Sequence, residues 1–365
     1  MVNHCIRIGL QNNVSSLKKL SALSYSELEQ YEILSYYKLC AISKAAGILS
    51  ARRQSIKRGF KTKNPYMKKR ILTSCYGFKI ENGILKIPLG NRKYFDVLLN
   101  SHTRQVISDR TLKVHSFILT PKIVSITISK DVEKIECVKT AGIDRNLRNL
   151  TYGNEKMVIQ YDLSKADRIA ENTKSIISSF KRNDVRIRKK LYSKYGQRRK
   201  NRITHLLHKV SKSVVQHAKH NREAIVFEDM RYIRKLYRKG NGQGNKLRGR
   251  MNGWSFAEIQ KQIDYKARWE GLKIIQLSKK DTGGTSSLCP RCGKRFQFGQ
   301  GRSLWCSTCQ RWLDRDVAAV MNQSLKGLLR FGSSQGDAAE AMKVMVEKPL
   351  IIRVDASKLI PFIRD

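Results

Sequence analysis

Ala141-Gly142-Ile143-Asp144 and Ala224-Ile225-Val226-Phe227-Glu228 are short apolar runs that each carry a carboxylate at the end. Runs of this length and composition read as buried strands. An acid at a strand end stands on a rigid support. Around the first run, Leu150 to Tyr161 supplies two more strands about Gly153-Asn154. Ile169, Thr173, Ile176, Ile177 and Phe180 then recur at helical spacing. Beyond the second run come a helix at about 255–270, a strand at Lys273–Leu277 and a helix at about Asp316–Leu329. Strands alternating with helices in this way predict an α/β fold for the C-terminal two-thirds.

The N-terminal third has another pattern. Residues 2–10 alternate enough to predict a short strand. Ser24 and Glu27 have capping-box spacing, and Leu34, Tyr37, Ala41, Ala45 and Ile48 follow at helical intervals. Arg52 to Arg70 holds nine Lys/Arg and no acid, with Pro65 interrupting, which reads as helix, basic loop, second short helix. Phe78 and Ile80, then Asn82-Gly83, then Leu85 and Ile87 predict a tight hairpin. Val124, Ile126 and Ile128 alternate with polar residues as a strand would. Residues 1–130 are therefore expected to be a small β-structure with a helical insertion.

The chain of 365 residues carries 73 Lys+Arg against 29 Asp+Glu, a formal charge of +44. Length predicts two or three domains. An apolar share of 41% is enough for real cores and excludes a disordered basic tail. Self-repulsion on this scale is tolerated when a polyanion neutralises it, so nucleic acid is the expected partner. No apolar run reaches the roughly 18 residues of a spanning helix, and the N-terminus lacks a secretory pattern. A soluble intracellular protein is the expectation.

Cys5, Cys40, Cys75 and Cys137 are scattered, whereas Cys289, Cys292, Cys306 and Cys309 form two C-x-x-C knuckles thirteen residues apart. Four thiolates at this spacing close a tetrahedral site around structural zinc. Gly293 follows the first knuckle, where a positive φ is wanted; Gln310 stands at the equivalent place in the second.

Asp144, Glu228 and Asp316 stand out by their settings: strand, strand end, helix start. Converging, they could hold two Mg²⁺ ions for phosphodiester hydrolysis. Singly, each has an ordinary role: turn residue, arginine partner, N-cap. Arg231 to Arg250 adds eight Lys/Arg, no acid, two tyrosines and four glycines. Lys181 to Arg202 adds eleven Lys/Arg against one acid. Such stretches suit phosphates and stacked bases. Candidate contacts are Arg52, Arg53, Lys57, Arg58, Arg188, Lys189, Arg198, Arg199, Arg231, Arg234, Tyr237 and Arg238. His205, His208, His217 and His220 read as a solvated helix face.

Ala141-Gly142-Ile143-Asp144-Arg145-Asn146, Ile225-Val226-Phe227-Glu228-Asp229-Met230 and Leu313-Asp314-Arg315-Asp316, with the four-cysteine module inserted before the last, resemble the TnpB family. These are compact relatives of type V CRISPR effectors, encoded by insertion sequences and formerly called putative transposases. The resemblance implies an RNase H-like (RuvC) nuclease domain over 139–284 and 314–330, and a zinc module at 285–313. It also implies a wedge-like β-barrel at 1–14 and 73–138 carrying a helical recognition insertion at 15–72; residues 331–365 are left as a tail. It implies a guide RNA from the transposon end and Mg-dependent cleavage of double-stranded DNA beside a short flanking motif. Asp144, Glu228 and Asp316 fall on the family's catalytic positions. The family's Asp-x-Asn-Ala-Ala run reads Asp316-Val317-Ala318-Ala319 here, so an Asn is replaced by Ala318, while Asn322 is kept. Two rivals stay open: a nucleic-acid-binding regulator or transposition accessory that does not cut, and a strand-transferring enzyme.

Overall fold

The computed structural model describes residues 1–180, 185–230, 233–330 and 349–359. They form two compact units, Met1–Asp131 and Val132–Asp365. No described helix is long and apolar enough to cross a membrane.

The first unit opens with three helices: α1 (Val2–Gln11), α2 (Leu17–Ser24) and α3 (Ser35–Lys57). The strand expected at 2–10 is thus a helix. Val2, Cys5, Ile6 and Gly9 recur at helical spacing, and Cys5, Ile6 and Ile8 pack with Leu20, Ile42 and Leu49. The alternation of Ile6, Ile8 and Leu10 is incidental to that stripe. Residues 1–14 accordingly belong to a helical cluster and not to a barrel. Ser24 closes α2 by donating to the Leu20 carbonyl (2.6 Å), so the expected capping box is absent. The second short helix expected before residue 70 is also absent: the chain between α3 and β1 (Leu72–Ser74) is irregular, as a stretch with Pro65 and dense like charge would be.

The rest of this unit is β2 (Lys79–Glu81), β3 (Ile84–Gly90), β4 (Lys93–Leu98), α4 (Ser101–Ile107), β5 (Leu112–Leu119) and β6 (Val124–Lys130). Asn82 and Gly83, at φ 51° and 75°, make the tight turn that pairs β2 with β3. The strands form two three-stranded sheets, β1-β5-β6 and β2-β3-β4, instead of one closed barrel. Leu85, Ile87 and Phe117 of the two sheets share a core with Tyr37 of α3.

In the second unit, β7 (Lys139–Arg145), β8 (Asn149–Gly153) and β9 (Met157–Asp162) form an antiparallel meander. After α5 (Ser164–Ser179) and α6 (Val185–His220), β10 (Glu223–Phe227) lies parallel to β7. A 3-10 turn (Ile233–Tyr237), α7 (Asn245–Gly253) and α8 (Phe256–Trp269) precede β11 (Ile274–Gln276), parallel to β10. The glycine- and arginine-rich stretch thus contains a helix, α7. The short α9 (Lys279–Thr282) leads to a small sheet of β12 (Gln297–Phe298), β13 (Ser303–Cys306) and β14 (Arg311–Asp314), and then to α10 (Arg315–Arg330).

The C-terminal residues hold a surprise. Leu350-Ile351-Ile352-Arg353-Val354-Asp355 is a strand, β15, parallel to β9. The sheet order is β11-β10-β7-β8-β9-β15. Residues 331–365, left as a tail in the sequence, thus supply apolar and β-branched residues that complete a sheet edge.

β10 is buried throughout, so both sheet faces are covered. Ala141 and Ile143 of β7 belong to the core that includes Leu207, Val210 and Val214 of α6 and Ile259 and Ile263 of α8. The alternate residues, Thr140 and Gly142, meet α10. Thr140 Oγ1 donates to the Ser324 carbonyl (2.7 Å), and Ser324 Oγ donates to the Thr140 carbonyl (2.8 Å). A Cβ on Gly142 would collide with the Val320 carbonyl and stand 2.8 Å from the Gln323 Cβ. Gly142 is therefore what lets helix and strand touch. Gly142→Ala is expected to destabilise the chain by about 1–3 kcal/mol, as overpacking against rigid backbone does, read as a lowered urea midpoint at unchanged slope.

Candidate active site and metal centre

The contacts of α10 with β7 determine where the acids meet. The helix and the strand run in opposite directions. From Ser324 back to Asp316 is about 12 Å of helix, and from Thr140 forward to Asp144 is about 13 Å of strand. Asp316 is thereby delivered to the level of Asp144. The parallel register, Val226 beside Gly142 and Phe227 beside Ile143, continues to Glu228 beside Asp144. Neighbouring strands are separated by about 4.8 Å. Three acids remote in sequence thus meet at the C-terminal ends of two central strands.

Their electrostatics confirm the meeting. Asp144 is half-buried, and its carboxyl is held well above the ordinary range, first by desolvation and then by the carboxylates of Glu228 and Asp316; it also lies within hydrogen-bond reach of Asp316. Burial raises Glu228 too, opposed by the Arg145 guanidinium. An all-oxygen cluster that resists ionisation on its own is a donor set that suits a hard divalent cation. Nearby, the buried Oδ1 of Asn149 and Oγ1 of Thr151 have no partner, and Thr151 is paired across the strands with Asp144. These acceptors fit the same cation or its water shell.

Surrounding side chains hold each acid. Asn146 Nδ2 donates to Asp144 Oδ2 (2.7 Å) and Asn149 Nδ2 to Asp316 Oδ2 (2.9 Å). Arg145, almost fully buried, donates to the Glu228 carbonyl (3.0 Å) and to Gln260, and its guanidinium lies 5.4 Å from the Phe227 ring centroid. It therefore fastens the end of β10 to β7 and α8. Arg302 of the cysteine module pairs with Asp316. The capping role open to Asp316 belongs instead to Asp314, whose Oδ1 accepts from the amides of Asp316 (2.8 Å) and Val317 (3.2 Å). Asp316 is left to face the other acids. Arg145 and Arg302 were not singled out in the sequence. Arg145 adjoins Asp144, but nothing in one sequence marks it as buried.

The four cysteine Sγ atoms lie within 4.8 Å of one another. Cys289–Cys309 is 3.9 Å and Cys292–Cys306 is 3.4 Å. A regular tetrahedron with Zn–S bonds of about 2.3 Å has edges of about 3.8 Å, so zinc fits. Gly293 takes φ 70°, and Gln310 supplies the second turn at φ 46° despite its side chain. Asn322 of α10 donates to the carbonyls of Thr285 and Leu288, both 2.8 Å, tying the helix to the module's entrance. Ala318 lies in the apolar cluster of Cys289, Phe296, Leu304 and Cys306. The missing asparagine is thus replaced by packing against the module.

Among the expected nucleic-acid contacts, Arg53, Lys57 and Arg58 are exposed, and Arg52 donates to Asn64 (3.2 Å). Lys189 and Arg198 are exposed on the first half of α6, with Arg198 5.8 Å from the Tyr195 ring centroid. Arg199 donates to the Gly253 carbonyl (3.3 Å). Tyr237 is half-buried and Arg238 exposed. Arg231 lies outside the described residues, as do the side chains of Arg188 and Arg234. His205 and His220 are exposed, but burial lowers the proton affinity of His208 and His217, so the solvated-face reading holds for only half of the four.

An α/β sheet with clustered acids at its central strand ends, and a four-cysteine module inserted ahead of the last helix, defines the class of fold. The chain in a cryo-EM structure of a Cas12f1–sgRNA–target DNA complex is similar in fold, with a TM-score of 0.58 at 13% identity over 88% of this chain and 79% of that one. The family model for the Cas12f1-like TNB domain matches residues 256–323. TnpB-like protein MJ0751 of Methanocaldococcus jannaschii is 30% identical over 266 residues, covering 67% of this chain and 91% of its own length. TnpB-like protein MJ1635 of the same organism is 25% identical over 357 residues, covering 90% and 80%. The chain belongs to the TnpB family.

Proposed function

We propose that this protein is an RNA-guided DNA endonuclease that cuts with Asp144, Glu228 and Asp316. The observation that carries the reading is that Asp144, half-buried at the end of β7, has both Glu228 and the buried Asp316 as electrostatic neighbours, which together with burial hold its proton affinity up. Arg145 and Arg302 offset part of that repulsion, and a divalent cation would relieve the rest. Family membership and the formal charge of +44 support RNA and DNA as partners.

Asp144, Glu228 and Asp316 would hold magnesium, which when bound supplies activation of water and neutralisation of charge on the scissile phosphate. Asn146 and Asn149 orient two of the carboxylates. Arg145 fixes the backbone that carries the third. Arg302 brings a guanidinium beside Asp316, where it can meet a phosphate. The four cysteines hold structural zinc and with it the position of Arg302. Base pairing with a guide reads the target, and the protein holds the heteroduplex by its backbone. The guide's origin at a transposon end and the flanking motif rest on the family resemblance.

Purified protein with its co-purifying RNA, incubated with plasmids carrying a sequence matched to that RNA, is expected to cut with Mg²⁺ and not without it. Tight binding with no cleavage under either condition would favour a regulator or accessory. Strand joining would favour the transfer enzyme.

A further inference from the structure

β15 lies on the same side of the acid cluster as the meander. The strand registers place Asp144 beside Thr151, Thr151 beside Gln160, and Gln160 beside Arg353. Directly paired residues on neighbouring strands share a face. One row therefore crosses the sheet from Glu228 and Asp144 to Arg353. Arg353 stands three strand spacings, about 14 Å, from Asp144.

An open cleft of about 870 Å³ takes in the outer end of this row, Gln160 and Arg353, and is also lined by Asn149, Arg148, Arg250 and Arg302. None of the three acids lines the cleft, but Asn149 and Arg302, which do, both bond to Asp316 and connect the cleft to them. Arg148 and Arg250 are held by Asp167 on α5. Arg353 is exposed and meets no carboxylate among the described residues; its Nε donates to Gln160 Oε1 at 3.4 Å. Asp162 and Asp355 also line the cleft; each is turned to a backbone amide, of Ser164 and Ser357, both at 2.8 Å, and keeps its charge, so a phosphate has to seat on the arginine side. Cationic heads in one open channel, the outermost uncommitted, match the repeating charge of a sugar-phosphate backbone.

We propose that the C-terminal strand is the outer wall of the substrate channel, and that Arg353 grips a phosphate of the DNA strand being cut, a few nucleotides from the acids. This deepens the nuclease reading and rests on it. Arg353 is a positioning residue: it holds the strand in line and does not touch the reacting phosphate.

The test uses the full chain and a fluorescent single-stranded DNA 12-mer carrying 4-thiothymidine, without Mg²⁺. Arg353→Ala is expected to weaken binding about five- to tenfold and to reduce the slope of log affinity against log salt by about 0.7. Arg353→Lys should restore both. Arg268→Ala, on an exposed helix arginine paired with Asp264, should change neither. Photo-crosslinks should fall within 350–355. Equal behaviour of Arg353→Ala and Arg268→Ala, or crosslinks confined elsewhere, overturns the proposal. So does an RNA 12-mer that depends on Arg353 while DNA does not. Arg353-dependent DNA binding in a chain that never cuts would sink the nuclease reading while keeping the channel; cutting unaffected by Arg353→Ala would do the reverse.

Discussion

Asp144→Asn is expected to lower DNA cleavage at least about a thousandfold, roughly 4 kcal/mol of transition-state stabilisation, while guide and target binding stay within about twofold. Asp144 is central to the cluster: it feels both other carboxylates, and it is half-buried. On the proposed reading its replacement removes a cation ligand without touching the basic surface. The same change should stabilise the metal-free protein by about 1–2 kcal/mol in urea titrations, because a desolvated, repelled charge is removed. These opposite effects separate a functional acid from a structural one. A structural acid would lose stability on substitution, and equal loss of binding and cutting would contradict the assignment.

The same cluster fixes a pH dependence. Asp144 and Glu228 bind protons more tightly in the folded chain than their ordinary values of 3.8 and 4.5. Above those values and up to the raised ones, the folded chain carries more protons than the unfolded chain. Stability without metal therefore falls as pH rises through that window. Magnesium competes with those protons, so its stabilising effect should grow with pH.

Loss of zinc is the second large effect. Cys306→Ser is expected to abolish zinc binding and unfold residues 285–313. The module's apolar cluster is Cys289, Phe296, Leu304, Cys306 and Ala318 with three half-buried neighbours, too little to fold a segment of this size without a metal. Trp305 and Trp312, 5.2 Å apart between ring centroids, give the readout. Their fluorescence should shift to the red in the variant or with a zinc chelator, and zinc analysis should fall from about one equivalent per chain to none. Cleavage should fall with it, because Arg302 sits on this module and reaches Asp316. Unchanged fluorescence after complete zinc removal would mean that the module is held by other contacts.

Much of this was legible in the residues. The cysteine spacing announced a closed four-ligand site, because four sulfurs on two knuckles have few other ways to pack. Asp144 and Glu228 at the ends of apolar runs announced strand-end acids, and Asn82-Gly83 announced its hairpin. The failures also have physical causes. Residues 2–10 satisfy both a helical and an alternating pattern, and only packing against α3 decides between them. Asp316 is two residues from the cap, and only the geometry of Asp314 shows which carboxylate does the capping. The end of the chain reads as a tail until β9 offers an open edge.

Local chemistry was set by sequence alone: the four thiols, the excess of positive charge, the apolar strands and the identity of the acids. These depend on composition and short spacing, which neighbouring residues dictate. Tertiary structure decided proximity. The glycine contact between β7 and α10, and the parallel register of β7 with β10, bring Asp144, Glu228 and Asp316 together. The same sheet carries Arg353 into line with them. Such distances follow from how helices and strands cross, and no stretch of sequence contains them.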